Sequence, residues 1–505
     1  MSTESTLDPA TKAGPDAGEP AHHPWRHLLH HRHRETDLVR GALSPLEVLG
    51  QSVAAAGPSI AIAGTLPFIY PTAGVGTLGS VVLGTVIVLL VAVVVAQFAR
   101  QSATTGSLYS YAAEGLGPWA GFVSGWGLAL GYTGIASACA VGSALFGAEF
   151  LKGVGVAGAT GTPALLGLTV VAVLLAVYVT ARGVVTSTRV SVVLEVLSLL
   201  AIVAVLVATL VKFGVAIDVT AATAVSAFDP SKIAVGAVIA VTIFVGFESA
   251  GSLGVEAKNP YRAIPRAVIG TAVGAGALYL VAGHVQTVAF SHGVALDAAT
   301  TPFNAIADAT APWLSPVVGL GVAISSFACT VASIQGAARA LFNLSREGAL
   351  PTALGHAHRT WKTPHVAIGV LGVVSLAVPL AYVVFGPADT AAALWASYLA
   401  TIVAGTYGYL LAYVLVAISA LVHFGRTGRL HPGVAAAAVL ATVGIVFVGW
   451  NVFTSYDHTL LYAFAAALAT GVAWYAYVWV TRREHARRVG TFTLAATTAP
   501  APEPQ

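Results

Sequence analysis

Twelve long apolar runs, almost free of charge, constrain this chain of 505 residues more than any other feature. They lie near 45–69, 76–99, 117–146, 163–182, 189–211, 234–254, 267–290, 313–343, 364–385, 390–422, 433–453 and 458–480. A bilayer core is about 30 Å thick and takes about 20 apolar residues per helix, which is the length of these runs. In hydrocarbon only helices and closed barrels satisfy their own backbone polar groups. Runs this long and continuous are not the short alternating strands of a barrel. Composition agrees. Charged residues make up 9% of the chain, against about 25% in soluble domains, and no water-soluble interior hides that much apolar surface. The sequence predicts an all-α polytopic membrane protein with 12 transmembrane helices.

The placement of Lys and Arg sets an orientation. With the N-terminus inside, 21 of the 24 Lys and Arg fall in cytoplasmic segments, and only Lys152, Lys212 and Lys232 fall outside. A wrong helix count would scramble this split, so it supports twelve crossings with both termini in the cytoplasm. Residues 1–43 read as a disordered cytoplasmic tail. Its histidines (His22, His23, His27, His30, His31 and His33) are either solvated or a metal-binding tract. Residues 481–505 read as a cytoplasmic C-terminal tail. The first apolar run lies too far in for a cleavable signal peptide and would serve as an uncleaved insertion signal. Cys139 and Cys329 fall inside apolar runs and read as small buried residues, not as a disulfide framework.

Two runs are broken near their middles. The first contains Ala54-Ala55-Ala56-Gly57-Pro58-Ser59. Pro58 lacks an N–H and clashes with the preceding turn, while Gly57 and the alanines let a ligand approach the backbone. The sixth contains Thr242-Ile243-Phe244-Val245-Gly246-Phe247-Glu248-Ser249-Ala250-Gly251. A carboxylate at mid-membrane costs at least roughly 2.5–3.5 kcal/mol, so Glu248 should face a partner or a cavity. Each feature also has a structural reading: an ordinary proline kink, and a carboxyl bonded to a neighbouring helix. Broken helices in corresponding halves, with a ligand between them, are a feature of transporters built from inverted repeats. Helix N-termini suit an anionic group and free carbonyls an ammonium, which favours a zwitterion or an amine.

Glu195 lies in the fifth run without a countercharge nearby in sequence. Proton coupling and a structural hydrogen bond to another helix are both open for it. Ser325 and Ser326 in the eighth run either bind Na⁺ or satisfy helix carbonyls. His284 and Gln286 read as helix-packing polar residues. No metal cluster or catalytic constellation stands at motif spacing, so an intramembrane enzyme is not expected.

Three local motifs carry a resemblance. Gly246-Phe247-Glu248-Ser249 is followed by Glu256-Ala257-Lys258-Asn259-Pro260-Tyr261-Arg262-Ala263-Ile264-Pro265-Arg266-Ala267. The eighth run ends in Arg339 and then Ser345-Arg346-Glu347-Gly348-Ala349-Leu350-Pro351. The third is entered through Gly106-Ser107-Leu108-Tyr109-Ser110-Tyr111 and Gly117-Pro118-Trp119-Ala120-Gly121-Phe122. In this order the set resembles the amino acid–polyamine–organocation permeases, over about residues 44–480.

The resemblance implies a leucine-transporter-like fold: five-helix inverted repeats over about 44–212 and 234–422, broken helices 1 and 6, and two peripheral helices over 432–480. It implies a substrate site around Ala55, Ala56, Gly57 and Ser59 on one break and Thr242, Phe244, Gly246, Phe247 and Glu248 on the other. Glu195, Ser325 and Ser326 would serve the coupling ion, and Glu256, Arg262, Arg339 and Arg346 a cytoplasmic gate. The chain departs from the family at Ala55-Ala56-Gly57-Pro58, where members usually show a Gly-Ser/Thr-Gly pattern. Thr242 stands where many members carry a gating aromatic. Glu195 stands where some carry a lysine in place of a sodium ion. The implied activity is proton- or cation-coupled transport of amino acids or amines across the cytoplasmic membrane by alternating access. An exchanger, or a non-transporting sensor on the same fold, is the alternative. The expected partners are a small solute, H⁺ or Na⁺, and lipid, with no cofactor, metal or nucleic acid.

Overall fold

A computed structural model describes residues 41–490, apart from 103, 105, 218–228, 296–300 and 456–457. Among the described residues the regular elements are helices, and Leu43 and Ala257 form an isolated β-bridge. The first run comprises α1 (Pro45–Ala56), α2 (Pro58–Ile60), α3 (Tyr70–Ala73) and α4 (Thr77–Ala99), linked by π and 3-10 turns. There follow α5 (Leu108–Leu116), α6 (Pro118–Gly153), α7 (Thr162–Ala181), α8 (Val184–Phe213) and α9 (Pro230–Thr242). The second half holds α10 (Pro260–Ser291), α11 (Pro302–Thr310), α12 (Ser315–Arg346), α13 (His365–Phe385) and α14 (Thr390–Arg426). The chain closes with α15 (Pro432–Ser455), α16 (His458–Thr481) and α17 (Arg483–Ala486).

The helix starts follow from sequence. Ser44 and Glu47 form a capping box on α1, with the Ser44 N–H donating to Glu47 Oε2 at 2.8 Å and Pro45 in the first turn. Proline opens α6, α9, α10, α11 and α15 in the same way.

Ten helical runs among the described residues are long and apolar enough to cross a membrane, not twelve. Two expectations account for the difference. The first two predicted spans join into one run, Pro45–Ala99, of 55 residues. At about 1.5 Å per residue that is ~80 Å, more than twice a bilayer core. The sixth predicted span keeps only α9 as regular helix, 13 residues, before turns and a 3-10 segment at Ser249–Leu253. The expected tails differ as well. Residues 1–40, including the six histidines, and residues 491–505 lie outside the described residues. Gly41–Leu43, however, are packed: the Gly41 and Leu43 N–H groups donate to Val255 and Glu256 carbonyls, and Leu43 is fully buried. Residues 482–490 fold back as α17 and a turn, burying Ala486 and Val489.

At the centre, α6 packs along α12 and α14. Its contact with α14 is built on glycine. A methyl at Gly405 would stand 2.8 Å from the Gly131 carbonyl oxygen, and one at Gly134 2.6 Å from the Thr401 carbonyl oxygen. Small residues at such spacing let two membrane helices touch backbone to backbone. The outward faces of α7, α8, α13, α15 and α16 are the reverse: large apolar side chains such as Leu174, Leu200, Val373, Val443 and Tyr462 are exposed. So much contiguous apolar surface needs lipid to cover it.

Overpacking a close helix contact costs typically about 1–3 kcal/mol. Gly405→Val should therefore lower the thermal midpoint of the detergent-solubilised protein. Gly425→Val, on the same helix where nothing lies near, should leave it close to the parent. Equal midpoints for the two variants would contradict this account of the α6–α14 contact.

Candidate binding site at two helix breaks

Helix α1 stops because Gly57 adopts a left-handed conformation (φ +52°) and Pro58 cannot donate to the turn before it. The Gly57 N–H still reaches the Val53 carbonyl, so the break begins at Pro58. The next N–H groups turn to side chains. Ser59 N–H and Ser59 Oγ both donate to Glu195 Oε1 at 3.0 Å, while Ile60 N–H donates to Ser325 Oγ at 3.3 Å. Ser325 Oγ in turn donates to Glu195 Oε2 at 2.6 Å. A carboxylate and a hydroxyl, from α8 and α12, thus occupy the positive end of the resumed helix. Farther on, Gln286 Nε2 donates to the Ile62 carbonyl at 2.9 Å.

The second break leans on the first. Gly246 (φ +101°) lies so close to α1 that an added methyl would stand 2.6 Å from the Ala55 carbonyl oxygen. Tyr279 Oη donates to the Ile243 carbonyl at 3.0 Å. Gln51 Nε2 donates to Ser249 Oγ at 2.9 Å, and Ala250 N–H to Ser52 Oγ at 3.0 Å, so polar groups of α1 satisfy the irregular stretch after α9.

Between the breaks lies a cavity of about 20 Å³, room for about one water. Ala55, Ala56 and Thr242 line it, together with Ile135, Val245 and Ile402. Cys139 and Cys329 face the same space; both are buried free thiols. Its lining contains no acidic or basic side chain. At one end Tyr398 and Thr65 share a hydrogen bond of 3.0 Å, with Trp395, Phe68 and Phe146 packed beyond.

Not every expected residue reaches this cavity. Gly57 sits behind it against Cys329, and Ser59 is turned to Glu195. The Phe244 ring packs edge-on against Tyr279 and the Phe247 ring against Tyr413, both away from it. Ser326 bonds back to its own helix at the Val322 carbonyl. Glu248 is buried under the break, accepting hydrogen bonds from Tyr132 at 2.9 Å and Tyr413 at 2.8 Å. Sequence reading missed both tyrosines. Their signal was a phenol inside an apolar helix, which requires a buried partner.

Glu248 also lines a second cavity of about 10 Å³ with Gly106, Ser107, Ser252, Gly336 and Ala340. Beyond it Arg339 closes on Glu256 in a bidentate pair, at 2.9 and 2.6 Å, and donates to the Ser252 carbonyl at 3.2 Å. Both side chains are buried. The other two expected gate cations stand apart from this pair: Arg262 is exposed, and the Arg346 guanidinium lies over the Phe342 ring at 5.4 Å.

With this geometry in place, likeness to known proteins is informative. The family model described as "Amino acid permease" matches residues 49–481. A branched-chain amino acid permease of Bacillus subtilis is 26% identical over 321 residues, 60% of this chain and 67% of that protein. An uncharacterised transporter of Mycobacterium tuberculosis is 27% identical over 423 residues, 80% of this chain and 83% of its own length. A methylthioribose transporter of B. subtilis is 26% identical over 298 residues, 56% of this chain and 64% of that protein.

Removing one partner of a buried ion pair costs roughly 3–5 kcal/mol, whereas replacing both by apolar groups is often neutral. Glu256→Ala should therefore lower the thermal midpoint sharply. Glu256→Leu combined with Arg339→Met should recover most of the loss. A single variant that melts like the parent would mean that the pair is solvated and carries little.

Proposed function

The chain belongs to the amino acid permease family, within the amino acid–polyamine–organocation superfamily, and on that premise we propose that it is a secondary transporter of neutral amino acids with apolar side chains. The observation that carries this reading is the cavity between the two breaks, walled by Ile135, Val245, Ile402 and Cys329 and free of acidic or basic side chains. An aliphatic side chain suits those walls. A lysine side chain or a polyamine would bury an ammonium there without a counter-ion, at a large desolvation cost. The backbone around Ala55, Ala56 and Gly246 is the place for the α-carboxylate and α-ammonium groups. At about 20 Å³ the cavity is contracted, so binding requires the two broken segments to move apart. Such motion is the basis of alternating access.

In this reading the chain crosses the bilayer twelve times, with both termini in the cytoplasm. Pro45–Ala99 supplies the first two crossings and α9 with the turns after it the sixth. Residues 44–212 and 234–422 are the inverted repeats of the leucine-transporter-like fold. Glu195 is the coupling group. Its carboxylate holds the resumed first helix, and proton uptake there would weaken its grip on Ser59 and Ser325. Coupling would then act on the broken helix itself. A second cargo class is favoured by one relative, the methylthioribose transporter: a methylthio group is as apolar as a branched alkyl group and suits the same walls.

Proteoliposome uptake separates these readings. Labelled leucine, isoleucine and valine should accumulate under an imposed proton gradient, and lysine and putrescine should not. Methylthioribose accumulation without amino acid uptake would select the second cargo, and preferred uptake of lysine or putrescine would overturn the apolar assignment. Glu195→Gln should lose gradient-driven accumulation by about ten-fold, the scale of one strong charge-assisted hydrogen bond, while keeping counterflow exchange. Unchanged accumulation in that variant would remove Glu195 from coupling.

A further inference from the structure

We propose that residues 482–490 are a latch that holds the route from the binding site to the cytoplasm closed, and that their release is a control point for transport. The inference rests on the orientation proposed above. After α16 the chain reverses at Arg482, turns through α17 and runs back against the bundle. Its two apolar anchors, Ala486 and Val489, are fully buried, although the arginines around them are exposed. Tyr475 Oη donates to the Ala486 carbonyl at 3.1 Å, and the Tyr475 ring stacks on Phe122 at 4.6 Å. Val489 packs on Gly121 at the start of α6.

The last contacts reach the elements around the second cavity. The Gly490 N–H donates to Glu347 Oε1 at 3.0 Å, just past the end of α12. Gly490 also lies against Ala113 of α5, so closely that an added methyl would collide with it. His485 fills the space beside Gly348, whose φ of +87° turns the chain away from α12. Tyr109 of α5 stands beside Glu347. Residues 485–490 therefore bridge α5 and the end of α12.

Those two elements are the ones that must part. Gly106–Leu108, leading into α5, and Gly336 and Ala340 of α12 all line the cavity beside Glu248. Ser107 also touches Gly251 after the second break, and Arg339 of α12 holds Glu256 there. Opening a passage widens the gap between α5 and α12, and a strap anchored on both resists it. Its anchors include the buried Ala486 and Val489, the Tyr475 hydroxyl on the Ala486 carbonyl and the Gly490 N–H on the Glu347 carboxyl. A strap of this kind, with a single four-residue helical turn, is releasable, unlike a long structural helix.

The test uses the full-length protein in oriented membrane vesicles. A reporter cysteine, Ala340→Cys, is labelled with a membrane-impermeant maleimide from each side, against the background of the two buried native thiols. Adding Val489→Asp should raise labelling from the cytoplasmic side about ten-fold, in keeping with the loss of one buried apolar anchor from a two-state equilibrium. A rise confined to the opposite side would keep the latch and overturn the orientation. No change on either side would overturn the latch. A second variant covers the case in which Val489→Asp folds poorly. Ala113→Cys with Gly490→Cys, oxidised to a disulfide, should stop uptake, and reduction should restore it. Full uptake by the cross-linked protein would overturn the proposal.

Discussion

A helix interrupted inside hydrocarbon exposes N–H and C=O groups that no solvent is present to satisfy, and the rest of this structure is arranged around that constraint. Each broken segment is served by side chains from elsewhere. Glu195 and Ser325 take the N–H groups of Ser59 and Ile60. Tyr279 takes the Ile243 carbonyl, Gln286 the Ile62 carbonyl, and Ser52 the Ala250 N–H. The breaks also press on each other, Gly246 against the Ala55 carbonyl. They form one irregular centre held by the regular helices α6, α8, α10 and α12.

Three buried carboxyl groups lie in and beside this centre, and each is satisfied differently. Glu195 accepts a backbone N–H and two hydroxyls. Glu248 accepts two phenols, one from α6 and one from α14. Glu256 faces a guanidinium. Only the last is paired with a full opposite charge. The first two sit among neutral donors. An ion pair such as Arg339–Glu256 instead locks two elements together.

Much of this was legible in the sequence because lipid imposes simple rules. The apolar runs, the helix character and the break at Gly57-Pro58 follow from residue type and local spacing. The break at Gly246 is legible as glycine and serine around a carboxyl. What was not legible is what lies across from each break. Tyr132 and Tyr413 stand 116 and 165 residues from Glu248, and no local period connects them. Phe244 and Phe247 were expected at the cavity, yet the turns at 243–248 follow no helical period, and their rings face Tyr279 and Tyr413 instead. One of the two differences in the count of long helices has the same reason: a half-length α9 beside a stretch of turns reads, by hydropathy alone, like one full span. Residues 482–490 are polar in composition and residues 41–43 are too few to carry a pattern, and only tertiary contact shows them docked.

The smallness of the space between the breaks has a consequence for the membrane as an insulator. Protons and alkali ions cross proteins along continuous files of water, and a void holding about one molecule cannot carry such a file. The phenols around Glu248 and the guanidinium at Glu256 interrupt it again below. With packed side chains filling the space between the breaks, a cell could hold many copies of such a permease without short-circuiting the ion gradients across its bilayer.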